Sequence, residues 1–246
     1  MHALLMREVI TRYGRENLGV LWLVAEPMIF TLGVAALWTA GGFQHLSNVP
    51  IVAFAVTGYS AVLLWRNCAN RCVMAIESNY ALLFHRNVKV FDLFLTRSIL
   101  EIAGATASFA VLSVFFTFLE MMPLPIDLLQ VIGGWLLLAW FGTALALVVG
   151  AGTAYSDVVE KLWGPVTYIL FPLSGAAFMV DWLPPELREA VLILPMVHGT
   201  EILREGYFGN AVRTHYSAGY LVTSNLLLTL VGLHMVRDAA RNVSAR

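Results

Sequence analysis

The chain has 246 residues, of which 59% are apolar and 13% charged, against roughly half and a quarter in an ordinary soluble domain. A globule of this size cannot bury so much apolar surface, so most of it faces lipid. The formal net charge of −1 says nothing of partners, because in a membrane protein the distribution of charge matters more than its sum. Cys68 and Cys72, the only cysteines, lack further Cys or His at zinc-like spacing, which leaves neither a disulfide framework nor a metal site supported.

The first segment, 1–17, is a basic amphipathic helix. Met6, Val9, Ile10 and Tyr13 repeat at i, i+3, i+4, i+7, while Arg7, Glu8, Thr11, Arg12 and Arg15 take the other face. That pattern suits a helix lying in a lipid interface with its arginines among the headgroups. The apolar run 18–40 follows without a break. It is too long for a cleavable h-region and has no small-residue cleavage site, so it reads as a retained signal anchor.

Spans of about 20 apolar residues are expected at 18–40, 51–73, 99–119, 128–150, 164–180 and 216–236. The fold class is therefore all-α integral membrane protein, a single domain with six transmembrane helices. Segment 74–98 forms a cytoplasmic region between the second and third spans. Segment 181–215 lies on the opposite side. Within it Val191 to Val197 is apolar but too short to cross, and it is flanked by Pro184-Pro185 and His198-Gly199. Short re-entrant helices that dip into the outer leaflet fit this, provided protein or a wet cavity covers their backbone. A short surface helix is the alternative.

Twelve of the fifteen basic residues fall on one side of this plan, and loops 41–50 and 120–127 contain none. By the positive-inside rule both termini are cytoplasmic. Arg188, Arg204 and Arg213 break the pattern.

Nothing in the chain hydrolyses ATP: there is no GxxxxGK(S/T) loop, and neither HExxH nor GxSxG occurs. Ionisable residues within spans are Glu26 and Glu101, few for a proton relay. Three classes stay open: a membrane subunit driven by a separate ATPase, an ion-coupled transporter, or an intramembrane enzyme or scaffold. Residues Ala75 to Lys89 alternate apolar and charged positions, as suits a short helix against another protein; a solvated loop is the alternative.

Individual residues carry further expectations. Glu26 lies about 12 Å into its helix, and Pro27 frees a carbonyl one turn back. An ion pair of Glu26 with Arg12, Arg15 or a basic residue of the second span meets its charge. Arg66 and Arg71 offer forked donors to phosphate or carboxylate, or else snorkel to the interface. Sugars stack their C–H faces on aromatic rings, so Tyr59 and Trp65 on the second span, and Tyr168, Phe171 and Phe178 on the fifth, fit a polysaccharide path. His198, Glu201 and Arg204 share one face of a short helix and read as a local ion pair holding the re-entrant element. Gly142, Ala146 and Gly150 permit close helix packing, within the subunit or across a dimer.

Arg7-Glu8, the run Thr11-Arg12-Tyr13-Gly14-Arg15, Leu18-Gly19, Leu21-Trp22 and Glu26-Pro27 resemble the N-terminal signature of type 2 ABC exporter permeases for capsular polysaccharide, the KpsM type. Ala75-Ile76-Glu77, Asn79, Leu82, Arg86, Val88-Lys89, Asp92, Arg97 and Leu100-Glu101 continue the resemblance, and Pro195, Val197-His198, Glu201 and Arg204-Glu205 close it. It covers nearly the whole chain, departing where the family often has a proline near Asn87 or Val90.

The resemblance implies an inner-membrane homodimer with two ATP-binding subunits, exporting a lipid-linked polysaccharide between its two membrane subunits. O-antigen and teichoic-acid exporters share the first motif. It also implies that the loop bearing Glu77, Asn79, Leu82, Arg86 and Lys89 docks on the ATPase. Arg12, Arg15 and Glu26 would stand where the lipid-linked end enters. ATP and Mg would bind the partner subunit, with no cofactor in this chain. Periplasmic and outer-membrane export components would be further partners; a nucleic acid would not.

Overall fold

The computed structural model describes residues 2–13, 19–41, 49–83 and 88–244. The described residues are helical, with no strand among them. Helices α1 (His2–Tyr13), α2 (Gly19–Ala40) and α3 (Ile51–Cys72) lead into two single turns, α4 (Ala75–Ser78) and α5 (Tyr80–Leu83). Then come α6 (Val90–Phe118), α7 (Leu128–Tyr155), α8 (Asp157–Leu173), α9 (Pro185–Val191), α10 (Pro195–Phe208) and α11 (Ala218–Ser244). Four of them are long and apolar enough to cross a bilayer: α3, α6, α7, and α11 over Ala218–Arg241.

Helix ends follow capping chemistry more closely than hydropathy. The helix over the third expected span starts at Val90, nine residues before 99, because Asp92 and Arg97 interrupt the apolar run without breaking the helix. Asp127 caps α7 by accepting from the Gln130 amide at 3.0 Å. One extended residue, Ser156, then separates α7 from α8 and caps the latter through the Val158 amide. Asp157 and Glu160 sit in the first turn of α8, where the helix dipole favours them. So α8 begins seven residues before 164. It ends at Leu173, just after Pro172, and Gly175 at φ +80° turns the chain away. Val180, expected in that span, lies in a 3-10 turn beyond it.

The core runs along α3, which packs against α2, α6 and α7, while α7 also backs α10 and α11. Small residues make this possible. A Cβ on Gly142 would come within 2.7 Å of the Trp65 Cα, and one on Gly150 within 2.9 Å of the Cys72 carbonyl. The Gly142–Gly150 stripe is thus spent inside the subunit, on the α3 seam. Nearer the start of α7, Gly134 meets the Leu203 backbone and Gly206 of α10 meets the Val131 amide. Helix α10 is consequently pressed into the bundle, with nearly every side chain buried.

Candidate functional site

Two charged regions and one aromatic face emerge. At the end of α3 that carries Arg71, its guanidinium bridges two helices: Nε donates to Glu101 of α6 at 3.0 Å and Nη2 to Glu26 of α2 at 3.3 Å. One turn earlier on α6, Arg97 pairs with Glu8 of α1 at 2.7 Å and donates to the Arg71 carbonyl at 2.7 Å. Arg7 of α1 reaches Asn79 at 3.4 Å. Five charged side chains therefore join α1, α2, α3 and α6. Glu26 finds a basic partner on α3. Glu101, 5% exposed, needs one, because an unpaired buried carboxylate is costly.

This network takes Arg71 out of the path lining expected of it. A second correction concerns Trp65, which is 0% exposed, packed edge-on to Phe141 at 6.0 Å and lodged over Gly142. Its neighbour Arg66 lies 100° round the helix and escapes that burial. Tyr168 is 79% exposed, on a different face of α8 from Trp163, Thr167 and Phe171. Phe178 sits in the loop after α8, partly buried against Val180, Val191 and Val197.

What stays together is Tyr59, Arg66 and Phe171, of which Tyr59 is 7% exposed and belongs to the core while Arg66 and Phe171 are half-buried. Tyr59 and Arg66 are seven apart on one face of α3, and Tyr59 meets Phe171 of α8 ring-edge to face at 5.6 Å. Further along, Trp163 of α8 donates to Asn70 of α3 at 2.8 Å. Arg66 lies between these two contacts. It is half-buried, and among the described residues its Nε has no hydrogen-bond partner and no carboxylate stands within 4 Å of it. Trp163 and Asn70 were not singled out by sequence; nothing short of the α3–α8 pairing marks them.

Beyond α3, Met74 turns the chain in the left-handed region (φ 53°), and its amide donates to Thr153 at 3.2 Å. Ala75 and Ile76 of α4 are buried, whereas Glu77 and Lys89 are exposed and Leu82 is half-buried. Asn79 is buried and donates back to the Ala75 carbonyl at 3.0 Å. Arg15 and Arg86, and the side chain of Arg12, lie outside the described residues.

The third group is His198, Glu201 and Arg204 on α10. All three are buried, but they do not form the expected local ion pair. Arg204 instead donates to the carbonyls of Gly175 (2.6 Å), Phe178 (2.7 Å) and Ala176 (2.8 Å), and its guanidinium lies 3.9 Å from the Phe54 ring centre. Glu201 accepts from the amides of His215 (3.0 Å) and Val180 (3.3 Å). His198 donates through Nε2 to the Leu192 carbonyl at 2.8 Å, while Nδ1 accepts from the Ser217 amide at 3.0 Å. The reason is the irregular chain around α10: its unpaired amides and carbonyls outbid side-chain pairing within the helix.

Outside α10, Asp181 takes His215 Nε2 at 2.9 Å and Arg188 at 3.6 Å. The His215 hydrogen bond, helped by the charges of Arg188 and Arg213, holds the Asp181 carboxyl below its ordinary value.

Comparison with known proteins completes the description. The chain is 45% identical over 241 residues to the capsule polysaccharide export inner-membrane protein CtrC of Neisseria meningitidis serogroup B, covering 98% of this chain and 91% of that one. It is 41% identical over 243 residues to the capsule polysaccharide export inner-membrane protein BexB of Haemophilus influenzae, with 99% and 92% covered. The polysialic acid transport protein KpsM of Escherichia coli is more distant, at 25% over 238 residues, 96% and 92% covered. These likenesses bear out the resemblance drawn from the motifs, and residues 1–208 match the ABC-2 type transporter family. The chain belongs to that family.

Proposed function

We propose that the chain is the membrane subunit of an inner-membrane ABC transporter that exports lipid-linked capsular polysaccharide, energised by ATP hydrolysis in a separate subunit. The near full-length likeness to capsule-export inner-membrane proteins supports the cargo class. The observation that carries the reading in the structure is Arg66. A half-buried cation with no carboxylate within 4 Å among the described residues, on the α3 face against which the half-buried Phe171 packs, suits an anionic glycan: a fork for acid groups. The Glu26–Arg71–Glu101 triad, by contrast, has its charges mutually matched, which suits a structural tie better than an ion relay.

In this proposal α2 and α8 are the remaining two spans. At 1.5 Å per residue the 22 and 17 residues of these helices measure about 33 Å and about 26 Å. Helices α9 and α10 form the re-entrant element, and both termini are cytoplasmic. Two copies of the chain combine with two ATP-binding subunits that hold ATP and Mg. The loop from Glu77 to Lys89, with Asn79, Leu82 and Arg86, takes the push of the ATPase. Periplasmic and outer-membrane components receive the polymer.

The test begins with solubilised full-length chain. It should co-purify with an ATP-binding subunit, and polymer should reach the cell surface only while ATP is hydrolysed. Recruitment of no ATPase, with transport continuing without ATP, would hand the function to an ion-coupled mechanism. Glu77→Lys should leave the permease in the membrane but uncouple hydrolysis from export.

A further inference from the structure

Three arginines stand on the side that the positive-inside rule leaves poor in charge, and two have structural employment. Arg204 is absorbed by backbone carbonyls. Arg188 donates to the Asp181 carbonyl at 3.0 Å and faces the Asp181 carboxylate. Arg213 has neither. It is exposed, and among the described residues no carboxylate lies within 4 Å of it, although its charge is felt at Asp181.

Arg213 lines a polar cavity of about 390 Å³ together with Met179, Asp181, Trp182, Asn210 and Val212, within the roughly 300–1,000 Å³ of small-molecule sites. The pocket is built rather than incidental. Trp182 is 41% exposed, yet its ring is stacked on Phe54 at 5.1 Å, and Phe54 is itself held under the Arg204 guanidinium. Asp181, which also lines the cavity, is fixed by His215 and Arg188. The Arg188 charge offsets its own, so it can accept sugar hydroxyls without repelling an acidic group. The rigid indole offers π surface to the C–H side of a sugar ring. Asn210 offers an amide that both donates and accepts. Arg213 supplies a cation with no carboxylate within 4 Å among the described residues.

We propose that this pocket is a subsite for one negatively charged sugar residue of the polymer as it leaves the membrane. Trp182 stacks on the ring, Arg213 binds its carboxylate or phosphate, and Asp181 and Asn210 bind its hydroxyls. The inference rests on the export function proposed above. It extends the glycan path beyond the α3–α8 face, to the outer end of α3, where Phe54 lies about 18 Å along the helix axis from Arg66.

The test uses the full transporter in its native host. A photoreactive phenylalanine analogue replaces Ala211, a pocket residue not used in the binding argument. The control position is Ile193, 68% exposed on the same outer segment and outside the pocket. Illumination during export should give polymer–protein conjugates at 211 and none at 193. Adding Arg213→Ala should reduce them about tenfold, the scale of one charge-assisted hydrogen bond, with Arg213→Lys retaining part of the yield. Trp182→Ala should act similarly and Trp182→Phe much less. Export that depends on the chain but gives no polymer conjugate at 211, or gives a protein conjugate there instead, would overturn the subsite and leave the export reading standing. Loss of the chain with no change in surface polymer would overturn the export reading and this subsite with it.

Discussion

The two charged regions of this membrane protein use arginine in opposite ways. Around Arg71 and Arg97, guanidinium groups meet carboxylates from other helices, Glu26, Glu101 and Glu8. Around Arg204 the guanidinium donates to backbone carbonyls and lies over the Phe54 ring, and Glu201 accepts from backbone amides. The difference follows from the backbone. In the first region regular helices arrive with most of their hydrogen bonds already satisfied, the Arg71 carbonyl that Arg97 takes being an end-of-helix exception, so charges tie one helix to another. In the second, chain 174–184 and chain 209–217 leave amides and carbonyls over, and buried charge is drawn to them.

Substitutions that remove each kind of tie should separate the two. The largest effect is expected at Arg204. Arg204→Met strands three or more buried carbonyls and should cost roughly 3–5 kcal/mol, read as a fall in thermal midpoint of the detergent-solubilised protein. Arg204→Lys should not rescue it, because one ammonium cannot span the carbonyls that a planar fork reaches. A full rescue would show that charge, not geometry, holds the region.

Arg71→Met comes next, at about 1–3 kcal/mol, tempered by the partial exposure of Arg71 and Glu26. Adding Glu101→Gln should recover much of that loss, since the stranded charge goes with it. No such recovery is expected when Arg204→Met is combined with Glu201→Gln. That contrast in double-mutant coupling is the sharpest discriminator. Glu201→Gln alone keeps one acceptor oxygen and should cost about 1 kcal/mol.

The smallest effect concerns pH. The carboxyl of Asp181 is held below its ordinary value of 3.8. Its contribution to stability is therefore present above that value and lost as pH falls through the lower native one. Hydrogen exchange in residues 181–217 should quicken in that acid range in wild type. The same protection should lose that pH dependence in Asp181→Asn.

Much of this was legible beforehand, for identifiable reasons. Arginine placement and apolar run length do not depend on tertiary contacts, so the order of apolar helices could be read directly. The charge of Glu26 demanded a partner, and a basic residue of the second span was among those named. That Arg71 fills that role depends on how α2, α3 and α6 meet, and local spacing does not encode it. Trp65 misled for a related reason. Helix α3 is apolar nearly all round, so no stripe tells inside from outside, and only the seam with Gly142 puts the indole in the core. The helix starts of α6 and α8 were hidden because caps and paired charges, not hydropathy, set them. The motifs at the N-terminus, by contrast, identified the family outright.

The single residue between α7 and α8 has a mechanical meaning. With Ser156 as the link at its start, α8 is a rod about 26 Å long whose other end runs straight into the carbonyls of Gly175, Ala176 and Phe178 that Arg204 grips. A 10° swing about Ser156 would carry that end about 4.5 Å by the same rise per residue. The Tyr59–Phe171 contact lies about twice as far from Ser156 as Asn70–Trp163. Torsion at the α7–α8 joint is therefore transmitted along α8 to the gripped segment and on to α10.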